Sequence, residues 1–213
     1  MATMSTTDAA EQKAHIRARV RATRAARVAA DPTGQVRREI SEALCEQVMS
    51  ELGRRELLSP GNTVAIYVAT ESEPGTRTLR HSLNAAGITV LIPRVDGTDL
   101  QWITDDGDVA LIASAWGIDE PAQSQYALGT EALCASTAII VPALAIDERG
   151  FRVGQGGGFY DRAIAVCQNV SGHTPLFIGL IHDDEVMDLV PREAHDARMD
   201  VIATDKRIIT TAE

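Results

Sequence analysis

The chain has 213 residues, a net charge of −10 and 45% hydrophobic residues. Its length suits one domain with a full core, and its apolar share excludes a disordered chain. The acidic balance argues against general nucleic-acid affinity, and no apolar run reaches membrane-spanning length.

Met1 to Ala10 has no cationic start followed by an apolar core, so residues 1–10 are expected to be a frayed tail rather than a secretory signal. One domain over 11–213 follows. Cys45, Cys134 and Cys167 are odd in number and far apart, with neither metal spacing nor a disulfide framework. That usage suits a reducing cytosol and predicts a cytoplasmic protein.

Ala9 to Ala30, rich in Ala and Arg, predicts a helix that Asp31-Pro32 ends. Glu11 to Arg38 carries Lys13, Arg17, Arg19, Arg21, Arg24, Arg27, Arg37 and Arg38 against Glu11 and Asp31, while the rest of the chain is acidic. Lys13, Arg17, Arg21 and Arg24 share one helix face by their spacing. Such a stripe could hold a triphosphate or a polyglutamate tail. It could equally be a solvated face that docks on the acidic body. A nucleic-acid arm is disfavoured, because no aromatic residues interleave the basic ones.

Gly34 to Leu58 reads as an amphipathic helix with Ile40, Leu44 and Val48 on one face. A Ser59-Pro60-Gly61-Asn62 turn leads to a strand, Thr63 to Ala69, apolar enough to be covered on both faces. Ligands of open α/β sheets sit beyond the carboxyl ends of strands, which puts Glu73 within reach of a substrate. Its carboxylate could accept hydrogen bonds from an amino-pyrimidinone edge. Alternatively, Glu73 and Thr76 only cap the next helix, Arg77 to Ala86. Gly87 closes that helix before a strand, Ile88 to Ile92. Asp96-Gly97 and Asp106-Gly107 flank another, Leu100 to Thr104. Trp102 and Trp116 are assigned no ligand, and Glu131 to Cys134 is at most a short helix.

Thr137 to Ile146 reads as a buried strand, followed by the loop Asp147-Glu148-Arg149-Gly150. Then comes Arg152-Val153-Gly154-Gln155-Gly156-Gly157-Gly158-Phe159-Tyr160-Asp161-Arg162, with a helix over Phe159 to Gln168. A strand, a glycine-rich loop and a helix start form a phosphate cradle. Backbone N–H groups can approach an anion there, and the helix N-terminus adds positive charge. No Gly-Lys-Ser/Thr follows, so this is no Walker A loop, and glycines at 154, 156 and 158 miss the dinucleotide fingerprint. The glycines alone could also be a plain tight turn. Leu176 to Ile181 and Met199 to Thr204 read as further strands. The run Asp183, Asp184, Glu185 is most simply a solvated turn. Alternating strands and helices predict a three-layer α/β/α domain, Rossmann-like, with a mainly parallel sheet and an N-terminal basic helix.

Arg-x-Gly-x-Gly-x-Gly-aromatic-Tyr-Asp-Arg resembles the signature of the 5-formyltetrahydrofolate cyclo-ligase family. Lys13-x-x-x-Arg17, Tyr67 before Glu73-x-x-Thr76, Gly87 before Ile92-Pro93, Gly117 to Pro121, Val141-Pro142 and His195-Asp196 fall in the same order. The family usually has Gly-Lys-Gly where this chain has Gly157, which removes a cation from the expected phosphate site.

The resemblance implies ATP- and Mg²⁺-dependent closure of 5-formyltetrahydrofolate to 5,10-methenyltetrahydrofolate, releasing ADP and phosphate. The formyl oxygen would attack the γ-phosphorus, and N10 would then displace phosphate from the activated carbon. Lys13, Arg17, Arg152 and Tyr160 are the expected catalytic residues. ATP would contact Lys13, Arg17, Arg21 and Arg152 to Tyr160, through Val153, Gly154, Gln155, Gly156, Gly157, Gly158 and Phe159. Folate would contact Val68, Glu73, Gln155, Gly156, Gly158 and Phe159. Asp161 and Asp196 would hold Mg²⁺. For Gly157, Arg24 or Arg162 could substitute, or the enzyme could be slower. The other readings are a protein that binds folate or nucleotide without turnover, and a sugar-phosphate or acyl-transfer enzyme on a similar scaffold. A monomer is expected, with a dimer as the alternative.

Overall fold

The computed structural model describes residues 6–114, 119–122, 127–170, 172–193 and 196–211. Helix α1 (Thr6–Ala30) begins three residues ahead of the expected Ala9, so Thr6 to Ala10 are helical rather than frayed, and Ala9 is buried. Residues 1–5 lie outside the described residues. Helix α2 (Gln35–Arg54) stops short of Leu58. Glu56 turns to a left-handed φ of 60°. Its N–H then bonds Gly53 O at 3.0 Å, and Leu57 N–H bonds Leu52 O at 2.9 Å, which satisfies the helix's last carbonyls.

Next come β1 (Thr63–Ile66), α3 (Arg77–Ala85) and a hairpin of β2 (Thr89–Asp96) and β3 (Asp99–Asp105). Gly97, at φ 61°, makes the tight turn. The hairpin extends both strands beyond the expected bounds. A short antiparallel pair, β4 (Leu111–Ala113) and β5 (Asp119–Pro121), was not anticipated by the apolar pattern. After α4 (Thr130–Cys134) the expected strand Thr137 to Ile146 is two strands. These are β6 (Ala138–Pro142) and β7 (Ala145–Asp147), which belong to different sheets. Pro142 has no N–H to continue the ladder. Both pieces are buried, so hydropathy does not mark the break.

The chain continues through β8 (Arg152–Val153), α5 (Phe159–Gln168), β9 (Leu176–Leu180), β10 (Val186–Met187), β11 (Val201–Ala203) and β12 (Ile208–Thr210). The expected last strand is followed by one more. The main sheet runs β12-β11-β9-β6-β1-β2-β3. Its five inner strands are parallel, and β12 and β3 are antiparallel edges.

Two-residue alternation builds the layers. Val64, Ile66, Ala138, Ile140, Ile178 and Leu180 pack under Leu44, Val48 and Leu52 of α2 and Leu79 and Leu83 of α3. Ala65, Ile139, Val141, Phe177 and Ile202 pack under Leu133 of α4 and Ile164 of α5. The result is the expected three-layer α/β/α arrangement. A small sheet, β10-β7-β8, receives α1 through Ile16 and Val20 against Leu144, Ala145, Val153 and Val190. No helix among the described residues is long and apolar enough to cross a membrane.

Two further expectations are overturned. Cys134 and Cys167 form a disulfide between α4 and α5, because both helices cover the same sheet face. Only Cys45 is a free thiol. Glu185 is not part of a solvated turn. It is buried in a short 3-10 turn, Asp183–Glu185, where its carboxylate takes two bonds of 2.7 Å from Arg24.

Candidate active site

A cavity of about 640 Å³ opens beyond the carboxyl ends of β1 and β6. That volume falls in the range of small-molecule sites. Lys13, Arg17, Arg152, Asp161 and Asp196 all line it, although they come from α1, the cradle, α5 and the segment before β11. So do Arg21, Val68, Glu73, Gly154, Gln155, Gly156, Gly157, Gly158, Phe159 and Tyr160. Val153 does not. Its side chain is buried against α1 and its backbone pairs with Ala145, because it ends a strand rather than starting the loop.

The cradle has the conformation that glycine permits. Gly156 and Gly158 have φ of 107° and 69°, and Gly158 is the N-cap of α5. A Cβ on Gly154 would stand 2.7 Å from Arg152 Nη1, and one on Gly157 would stand 2.9 Å from the Phe159 ring. Among the described residues, the N–H groups of Gly154 to Gly158 donate to no protein acceptor.

Every basic residue of the cavity already has a protein partner. Lys13 Nζ lies 2.6 Å and 2.7 Å from the Asp196 carboxylate and 2.8 Å from Glu193. Arg17 Nε donates to Gly154 O at 2.8 Å, and Arg21 donates to Gln155. Arg152 Nη2 donates to Asp161 Oδ1 at 2.7 Å. The stripe therefore docks on the acidic body and also lines the cavity. Arg24 leaves it. Arg24 is 2% exposed, and its N–H groups serve Glu185 and Ala143 O, so it cannot replace a cation at Gly157. Arg162 stands closer. It donates to Gly157 O at 3.1 Å and stacks 5.2 Å from the Phe159 ring centre.

Glu73 does not cap α3. Its Oε2 accepts from Thr70 N–H at 2.9 Å and from the Thr70 hydroxyl at 3.0 Å. Thr76 caps only through its backbone carbonyl, while its hydroxyl donates to Tyr67 O at 2.8 Å. The Tyr160 hydroxyl is buried and has no partner among the described residues. Burial, then the Glu73 carboxylate, holds it well above the usual phenol range, so it stays a hydrogen-bond donor. Trp102, fully buried, packs edge-on to the Tyr160 ring at 6.3 Å and belongs to the core. Trp116, Gly117, Ile118 and His195 lie outside the described residues.

Sequence reasoning missed Pro93, Val95 and Leu100, which make an apolar wall, and Asp119 and Glu193. They are ordinary residues that the β2–β3 hairpin and neighbouring loops bring in, and nothing local marks them. Six carboxylates, Glu73, Asp119, Glu120, Asp161, Glu193 and Asp196, stand with four cations in the lining. Among the described residues no cluster of three or more metal-ligating side chains exists. Two separate carboxylates still fit Mg²⁺, which commonly takes one or two and completes its shell with water and phosphate.

The model of the 5-formyltetrahydrofolate cyclo-ligase family matches residues 9–205. The 5-formyltetrahydrofolate cyclo-ligase of Mycolicibacterium smegmatis is 36% identical over 182 residues, covering 81% of this chain and 90% of that protein. That of Escherichia coli is 26% identical, covering 80% and 97%. Among solved structures, the Aquifex aeolicus 5,10-methenyltetrahydrofolate synthetase superposes with a TM-score of 0.71 at 25% identity, covering 94% of this chain and 93% of that one. The Mycoplasma pneumoniae 5,10-methenyltetrahydrofolate synthetase shares the fold, with a TM-score of 0.65 at 16% identity, covering 91% and 98%.

Proposed function

Because the chain belongs to the 5-formyltetrahydrofolate cyclo-ligase family, we propose that it closes 5-formyltetrahydrofolate to 5,10-methenyltetrahydrofolate with consumption of ATP. The observation that carries this reading is the shared cavity of Lys13, Arg17, Arg152, Asp161 and Asp196. Mg-ATP supplies the γ-phosphoryl group that turns the formyl oxygen into a leaving group. The protein's own work is positioning and charge neutralisation. Lys13 and Arg17 take phosphate oxygens from one side. Arg152 and the open N–H groups of the cradle take them from the other. Asp161 and Asp196 hold Mg²⁺.

The charge balance favours a metal-dependent reaction. A lining with more carboxylates than cations repels a free polyphosphate. Divalent neutralisation removes that repulsion. Pro93, Val95, Leu100 and Phe159 exclude water, which protects an activated formyl group from hydrolysis. Glu73 accepts from the pterin edge, and Tyr160 donates to a folate or phosphate oxygen.

Thermal unfolding with ATP and Mg²⁺ tests this reading against an ATP-independent enzyme on the same scaffold. At a ligand concentration of about 100 Kd, the native protein gains roughly 2.7 kcal/mol. A melting curve unmoved by Mg-ATP at any concentration contradicts it.

A further inference from the structure

Gln155 stands between Arg21 and Glu73 on the exposed side of the cavity. Its amide oxygen accepts from Arg21 Nη2 at 2.9 Å and from Nε at 3.2 Å. Its backbone carbonyl accepts from the same Nη2 at 2.9 Å. Its amide nitrogen donates to Glu73 Oε1 at 3.3 Å. The residue type follows from these neighbours. A primary amide offers an acceptor to a guanidinium and a donor to a carboxylate in a single orientation. A carboxylate here would repel Glu73, and an ammonium would repel Arg21.

We infer that Gln155 is a positioning residue that couples nucleotide binding to folate binding, an inference that rests on the functional reading above. In the free protein both Arg21 and Glu73 Oε1 are engaged by Gln155. A phosphate chain that recruits Arg21 removes the amide oxygen's partner. The amide then turns freely, and Glu73 Oε1 opens to a substrate N–H. Folate that arrives first frees the amide from Glu73 in the same way. Whichever ligand comes first breaks the bridge, and the second meets it already broken. The coupling is therefore positive, and linkage makes it equal in both directions. The bonds are exposed, so the effect is about three- to tenfold.

Calorimetry on the intact chain tests this. A non-hydrolysable ATP analogue with Mg²⁺ and 5-formyltetrahydrofolate are titrated separately, and each again with the other saturating. Each ligand is expected to tighten about three- to tenfold in the presence of the other. In Gln155→Leu the coupling vanishes: each ligand's affinity, whatever its value alone, is the same with and without the other. In Gln155→Glu the grip on Arg21 strengthens, so the analogue alone binds more weakly than to the native protein. Absent or negative coupling in the native protein overturns the inference. So does coupling that survives in Gln155→Leu. If neither ligand binds the native protein alone, the functional reading itself falls and takes this inference with it.

Discussion

Lys13 and Asp196, 183 residues apart in the chain, meet at 2.6–2.7 Å inside the cavity. Their side chains are 6% and 8% exposed. A cation proposed for phosphate is thus held by a carboxylate proposed for the metal, and Arg152 with Asp161 repeats the arrangement. The pairs keep both signs of charge in place without ligand. Lys13→Met removes the cation that Asp196 and Glu193 share. We expect a loss of roughly 3 kcal/mol in urea unfolding. Turnover should fall about 100- to 1000-fold. A variant as stable and as fast as the native protein would contradict the assignment.

Acid sensitivity should trace in part to His182. Burial, then Arg27 and Arg24, pushes its pKa from 6.5 down to about 3. Below pH 6.5 the unfolded chain binds a proton that the folded protein refuses. The neutral form's contribution is therefore complete above that pH and shrinks as pH falls toward 3. The loss is roughly 1.4 kcal/mol per pH unit in that window. Unfolding at pH 7 and pH 5 should show a shallower pH slope in His182→Gln. Equal slopes would remove His182 as the cause.

The Cys134–Cys167 bridge closes a sequence separation of 33 residues. Constraining a loop of that size stabilises by roughly 3–4 kcal/mol. Cys134→Ala/Cys167→Ala should melt lower than the oxidised native protein, and reductant should lower the native protein but not the variant. A native melting temperature indifferent to reductant would count against the bridge.

Glu56 closes α2 with a left-handed φ of 60°, where side chains are disfavoured. Glu56→Gly should raise stability by roughly 0.5–1 kcal/mol in equilibrium unfolding. A loss of stability would mean that the side chain does more than close the helix.

Local signals marked some elements well and long-range pairings poorly. The bounds of α5 followed from Gly158 and the apolar pattern after it. The buried strands followed from unbroken Val/Ile/Leu runs. The split between Pro142 and Ala145 is invisible, because every residue from Ala138 to Ile146 is apolar. Arg24 shares the stripe's face, yet it lies about 16 Å along the axis from Lys13, beyond the cavity and against Glu185. The acidic run at 183–185 looks solvated until that arginine is placed over it. Likewise Cys134 and Cys167 become neighbours only once α4 and α5 lie side by side. The motif placed the cradle and Asp161. The hairpin wall of Pro93, Val95 and Leu100 needed the fold.

Absorbance of the methenyl product, followed with 5-formyltetrahydrofolate, ATP and Mg²⁺, tests the central claim most directly. The account predicts product formation that stops when ATP is left out. It predicts loss of at least about 100-fold in Asp161→Asn, assayed at a temperature where the melting curve shows the free variant still folded. Product formed without ATP, no product at high native enzyme concentration, or an Asp161→Asn protein as fast as the native one would contradict it.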